Sequence, residues 1–101
     1  MRILFICNQN MNRSRTAEEL FSNIFETKSA GLFNDTPVTE QQLDWADVVM
    51  VMEEEQRYEL SKRFPQQYLK KQIINLNIPD TYYFNQPELV RLLKQKINEL
   101  F

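Results

Sequence analysis

Arg2-Ile3-Leu4-Phe5-Ile6-Cys7-Asn8-Gln9-Asn10-Met11-Asn12-Arg13-Ser14 is the stretch on which the reading of this chain turns. Residues 2–6 are a short, nearly continuous apolar run, which suits a strand buried on both faces. From Arg13 the period changes. Ala17, Leu20, Phe21, Ile24 and Phe25 recur at i, i+3, i+4, i+7 and i+8, one stripe of an amphipathic helix, with Glu18 and Glu19 near its positive end. Between strand and helix lies a turn with Cys7 at its start and Arg13 at its end, a Cys-x5-Arg spacing.

Further along, a second short strand is expected over Thr27 to Ala30, closing at Gly31, the only glycine. Residues 32–38 read as a loop with Asn34-Asp35-Thr36-Pro37 as its turn chemistry. Thr39 and Gln42 have the spacing of a capping box, opening a short helix with Leu43 and Trp45 that ends by Asp47. Val48-Val49-Met50-Val51-Met52 is another buried-strand pattern, and Glu53-Glu54-Glu55 supplies an acidic first turn for the next helix. Leu60 and Phe64 mark that helix's inner face, and Pro65 is expected to follow its end. Ile73-Ile74-Asn75-Leu76 reads as the last strand and residues 77–86 as a loop. Pro87 suits the first turn of a final helix whose Leu89, Leu92, Leu93, Ile97 and Leu100 face inward. Strands alternating with helices predict an α/β fold with a four-stranded parallel sheet and helices on both faces. Ligands of such sheets sit beyond the carboxyl ends of the strands, the rim on which Cys7 and Asp80 would both fall.

With 101 residues the chain is expected to be one domain, 1–101, since it can fill one core but hardly two. The opening apolar run is too short for a signal segment and nothing reaches membrane-spanning length, so a cytoplasmic protein with no membrane association is expected. A lone cysteine cannot form an internal disulfide, which fits a reducing compartment. A net charge of −2 argues against a nucleic-acid binder, and Lys62-Arg63 and Lys70-Lys71 read as solvated charges at element ends. The absence of histidine excludes Ser-His-Asp hydrolases, papain-like proteases and the usual zinc hydrolases. No cofactor or metal is expected, and the oligomeric state is left open by exposed-contact candidates such as Phe33, Tyr58 and Phe101.

A cysteine nucleophile without histidine needs activation from backbone N–H groups, a helix N-terminus and a guanidinium, and those same groups bind a tetrahedral oxyanion. Asn8, Gln9, Asn10, Met11, Asn12 and Arg13 can wrap around such an anion, with the Cys7 sulfur below it for in-line attack. Arg13 can clamp two oxygens at once, which lysine cannot. Ser14 can donate its hydroxyl to the sulfur. A free thiol alone is more often an inert core group; Arg13 and Ser14 in register at a strand-to-helix junction shift that balance.

Ile3-Leu4-Phe5-Ile6-Cys7 through Arg13-Ser14, followed by Thr16-Ala17-Glu18, resembles the active-site segment of the low-molecular-weight protein tyrosine phosphatase family. Ser29-Ala30-Gly31 is similar to that family's second-strand signature, and Ala46-Asp47-Val48-Val49-Met50-Val51-Met52-Glu53 to its third-strand segment. Trp45, Ile78-Pro79-Asp80 and Tyr82 resemble a compact bacterial branch of it. The resemblance implies a three-layer fold with strand order 2-1-3-4. It implies Cys7 as nucleophile of a phosphocysteine intermediate, Arg13 as phosphate ligand, Asn10 as loop brace, Ser14 as thiolate partner and Asp80 as general acid. Tyr82 and Tyr83 would then form a wall for an aromatic substrate, a phosphorylated protein or small aryl phosphate, or would pack on the final helix.

The chain also departs from that pattern. Gln9 stands where the family usually has glycine, which predicts a strained backbone or an altered opening; Arg15 and Thr81 replace prolines; Asn12 replaces a second cysteine. Two other activities share the expected residues: a phosphate- or phosphoprotein-binding module without turnover, and an arsenate reductase drawing on an external thiol.

Overall fold

The computed structural model describes all residues, 1–101. The opening apolar run forms β1 (Arg2–Cys7), in which every residue from Ile3 to Cys7 is buried. Alternation splits this strand between two cores. Ile3, Phe5 and Cys7 pack on one face of the sheet, and Leu4 and Ile6 on the other.

The remaining elements, in chain order, are α1 (Arg13–Phe21), β2 (Glu26–Gly31), α2 (Glu40–Trp45), β3 (Val48–Val51), α3 (Glu54–Arg63), α4 (Pro65–Lys70), β4 (Gln72–Asn75) and α5 (Pro87–Leu100). All four strands are parallel, in the order β2-β1-β3-β4. Phe5 pairs with Ser29 of β2 and with Met50 of β3, which places β1 centrally and fixes the register of both neighbours. α1 and α5 cover the Phe5 face through Ala17, Phe21, Leu89, Leu93 and Ile97. Leu43 of α2 and Leu60 of α3 cover the Leu4 face. From β1 the chain turns one way to β2 and later the other way to β3, so the switch point of strand order lies beside the end of β1, where ligands of such sheets bind.

Local chemistry explains most boundaries. Both halves of the Thr39–Gln42 capping box are made. The reciprocal half of that device recurs at the start of α3, where Glu53 N–H donates to Gln56 Oε1 at 3.0 Å. Pro65 does more than follow α3: it opens α4, because its fixed φ suits a first helical position while its ring drives Phe64 out of the α region, to φ −134° and ψ 64°. α1 stops at Phe21, earlier than the apolar stripe suggests, since the chain must reverse through residues 22–25 to enter β2 alongside β1. Ile24 is therefore 63% exposed, whereas Phe25 packs on the Phe101 ring at 5.4 Å. β4 begins one residue earlier than expected, and Leu100 lies exposed at the end of α5.

Lys62 and Arg63 both pair with Glu59, and the Lys71 ammonium donates to the carbonyls of Asp44 and Ala46 at the end of α2. No helix is long and apolar enough to cross a membrane.

Candidate active site

Cys7 ends β1 with its side chain on the α1 face of the sheet, which brings it against the first turn of α1. Its Sγ lies 2.9 Å from the Ser14 hydroxyl, and that hydroxyl lies 2.8 Å from Asn10 Oδ1. A hydroxyl has one proton to give. With Cys7 as a thiol, S–H donates to Ser14 and Ser14 donates to Asn10; with Cys7 as a thiolate, Ser14 must turn its proton to sulfur. The side-chain order Cys7–Ser14–Asn10 is thus a switchable pair of hydrogen bonds around the sulfur.

Asn10 has φ 55°, the left-handed region that Asn tolerates better than most residues. Gln9 is not among the residues with positive φ, so glycine's freedom is not required there and the expected strain at Gln9 is absent. The turn's sharp reversal falls one residue later, on a side chain that also braces Ser14.

α1 begins at Arg13 without a side-chain cap from Asn12. No protein acceptor takes the backbone N–H groups of residues 8–15. Orphan donors at a helix start, in the positive field of its dipole, favour an anion. Cys7, Asn8, Gln9, Met11, Asn12, Arg13 and Asp80 enclose a cavity of about 70 Å³. That is room for two or three waters at about 30 Å³ each, or one small tetrahedral ion, and is far below the roughly 300–1,000 Å³ of drug-sized sites.

Arg13 is 1% exposed and held from one side. Its Nη1 donates to Glu53 Oε1 at 2.6 Å and to the Ile78 carbonyl at 2.7 Å. The Nε and Nη2 edge is left for a ligand, with Asp80 Oδ1 3.7 Å from Nε. One guanidinium therefore sits between two carboxylates. Glu53 enters from the end of β3, through its α3 cap, and Asp80 from the loop after β4.

Three supporting residues carried no signal strong enough to find in the sequence. Gln56 is buried at 1% exposure; its Oε1 accepts from the N–H groups of Met52 and Glu53 at 2.7 and 3.0 Å, and its Nε2 donates to Asn8 Oδ1 at 2.9 Å. Glu53 reads as an acidic helix turn, and Thr16 as an ordinary helix residue. Thr16 Oγ1 in fact donates to the Asn12 carbonyl at 2.7 Å and accepts from Asn85 N–H at 2.9 Å. Among the expected wall residues, Tyr82 packs partly buried against the α1/α5 core and Tyr83 is exposed. No group of His, Cys, Asp or Glu side chains is arranged to hold a metal ion.

No family model matches the sequence, and no curated protein sequence matches it. Solved structures do match the fold. The low-molecular-weight protein tyrosine phosphatase of T. tengcongensis aligns at a TM-score of 0.78 over 100% of this chain and 99% of its own, with 21% identity. The tyrosine phosphatase Wzb of Escherichia coli K30, in complex with phosphate, aligns at 0.78 over 98% and 94%, with 22% identity. The YwlE arginine phosphatase of Geobacillus stearothermophilus aligns at 0.68 over 98% and 84%, with 24% identity. At these identities the likeness establishes a shared fold, that of the low-molecular-weight phosphatases, over essentially the whole chain.

Proposed function

We propose that the protein is a cysteine-dependent phosphomonoester hydrolase acting on a phosphorylated protein or a small aryl phosphate in a reducing compartment. The observation that carries the reading is the small cavity at the β1–α1 junction, where Cys7 and the open edge of a buried Arg13 face the same space. The shared fold with tyrosine and arginine phosphatases supports it.

The unpartnered amides of the turn and the Nε/Nη2 edge of Arg13 bind the phosphoryl oxygens. The Cys7 thiolate attacks phosphorus from below; the S–P bond forms as the P–O bond to the leaving group breaks. Asp80 passes its proton to that leaving oxygen. In the second half, water attacks phosphorus, Asp80 takes the water's proton, and the S–P bond breaks to return the thiolate, which Ser14 stabilises.

Two departures, Gln9 for glycine and Thr81 for proline, are the reason to consider a module that binds phosphate without turnover, and the first loses weight because the backbone there needs no glycine. Arsenate reduction would require an external thiol throughout, since Cys7 is the only cysteine.

The test is hydrolysis of p-nitrophenyl phosphate by the purified chain, with Cys7→Ser and Arg13→Lys beside it. Wild type should turn over and be inhibited by vanadate. Cys7→Ser should be inactive, and Arg13→Lys reduced by at least about a hundredfold, the scale of losing one preorganised donor in a site of this kind. Equal rates in wild type and Cys7→Ser overturn the reading.

A further inference from the structure

Asp80 lies on an exposed stretch in which the backbone of residues 80–82 makes no hydrogen bond to protein. Proline stiffens it only from upstream, at Pro79, since Thr81 follows the acid directly. Free chain of that kind samples many positions, yet a general acid needs one. Within the stretch only the Tyr82 side chain, partly buried against the α1/α5 core, and the Asp80–Arg13 pair at 3.7 Å hold it; its backbone is fixed at its two ends, and the first turn of α1 contacts both.

Upstream, the Ile78 carbonyl accepts from Arg13 Nη1 at 2.7 Å, and the Ile78 N–H donates to the Met52 carbonyl at 2.8 Å. Downstream, the Asn85 N–H donates to Thr16 Oγ1 at 2.9 Å, and the Arg15 guanidinium lies 5.3 Å from the centre of the Phe84 ring. Asn85 has φ 62°, so the chain turns sharply at the anchor itself, and the Tyr83–Gln86 turn closes behind it with Tyr83 N–H donating to Gln86 Oε1 at 3.0 Å. Thr16 is wholly buried and its hydroxyl is fully used, donating to Asn12 as it accepts from Asn85.

We infer that Arg15, Thr16 and Phe84 form a clamp that positions Asp80 over the Cys7 cradle, taking the place of a stiffening proline after the acid. The inference rests on the proposed phosphatase chemistry and adds to it the device that aims the acid. Arg13, Arg15 and Thr16 are consecutive or near-consecutive on one rigid turn. That turn therefore sets the anion fork and both anchors of the acid loop together, and a shift in one carries the other. Arg15 and Phe84 touch neither the sulfur nor the cavity, so they act through Asp80; Thr16 also braces the Asn12 carbonyl of the cradle and so positions both.

A mispositioned acid is revealed by the leaving group. Phenyl phosphate, a poor leaving group, needs its oxygen protonated; 2,4-dinitrophenyl phosphate does not. In Arg15→Ala and Phe84→Leu, kcat for phenyl phosphate should fall about two- to five-fold, the scale of an exposed cation–π contact, while kcat for the dinitrophenyl ester stays within about twofold. Thr16→Val removes the anchor of the Asn85 N–H and also releases the Asn12 carbonyl of the cradle, so kcat should fall on both esters and several-fold further on phenyl phosphate. Asp80→Asn should show the largest split of all, and adding Arg15→Ala to it should change nothing further. Arg15 and Phe84 lie outside the core, so those two variants read out even where Thr16→Val folds poorly. Equal losses on both esters, no loss, or an undiminished Arg15→Ala effect in the Asp80→Asn background overturns the clamp while leaving the phosphatase standing. A wild type inactive on both esters overturns the phosphatase and the clamp's purpose together.

Discussion

Replacing Gln56 with methionine removes three hydrogen bonds from the seam between β3 and the Cys7 turn while nearly conserving volume. The Met52 N–H, on a residue with no exposed surface, then loses the only acceptor within reach. Stranding a buried donor costs about 1–3 kcal/mol. The Glu53 N–H, half-buried at the start of α3, loses the reciprocal half of its capping box, at about 0.5–1 kcal/mol. Asn8 sits at the cavity and can turn its amide to water, so the third bond adds little. The total is about 1.5–4 kcal/mol, a large share of the roughly 5–15 kcal/mol that holds such a domain together. At about 2.1 cal/mol/K of unfolding entropy per residue, a chain of 101 residues loses about 5 °C of Tm per kcal/mol, so thermal unfolding followed by circular dichroism should show a drop on the order of 7–20 °C. Gln42→Met is the internal control. It deletes the same capping-box bond at the start of α2, to Thr39 N–H, in an exposed setting where water substitutes, and should cost less than about 1 kcal/mol. A Tm for Gln56→Met within about 3 °C of wild type, or no worse than that of Gln42→Met, would refute the view that burial, and not the capping bond itself, makes Gln56 matter.

Ser14→Ala should lower kcat by about ten- to a hundredfold with KM little changed, because a hydrogen bond to a charged sulfur contributes about 1.5–3 kcal/mol; steady-state kinetics on p-nitrophenyl phosphate checks this. Glu53→Gln keeps an acceptor for Arg13 Nη1 but removes one of the two negative charges around it, so inorganic phosphate should inhibit on the order of five-fold more tightly, as a competitive inhibition constant would show. Asp47 accepts from the Arg2 N–H, and that backbone hydrogen bond holds its carboxyl below the usual range. A depressed folded value means stability that is complete above the unfolded value of about 3.9 and is lost as pH falls through the folded one. The urea midpoint should thus fall below about pH 4, and less steeply in Asp47→Asn, with Glu59, lowered by its Arg63 hydrogen bond, contributing in the same window.

The sheet was legible because its strands state their burial outright. Ile3 to Ile6 and Val48 to Met52 are unbroken apolar runs, and a strand covered on both faces has no other way to look. Thr39, Pro87 and the acidic start of α3 named their helix ends through capping chemistry that acts over three or four residues. Local rules failed where distance decided the outcome. Ile24 continues the period of α1, but β2 has to start beside β1, and geometry overrode the pattern. Pro65 reads equally as a stop or a start, and it is both. At the site, Cys7 and Asp80 could be placed on one rim by topology, and Arg13 and Ser14 by their spacing from Cys7. Glu53, Gln56, Thr16 and Asn85 could not, since each is a common surface residue type whose partner lies tens of residues away.

Gly31 shows the same division from the other side. As the only glycine it suggests a turn requiring positive φ, yet no glycine here has one. What it offers is proximity: a Cβ at that position would lie 2.8 Å from the Asn34 side-chain amide, which would have to swing away from the end of β2. Gly31 pairs with Cys7, and the Leu32 and Phe33 N–H groups donate to the carbonyls of Cys7 and Asn8, so the space left open by the missing side chain is used to bring the following loop against the start of the cradle. The left-handed residue that the cradle needs is instead Asn10, whose side chain both tolerates that backbone and accepts from Ser14. Glycine at Gln9 would have supplied only freedom. Asparagine at position 10 supplies the bend and a fixed hydrogen-bond partner, which is why the turn can dispense with glycine.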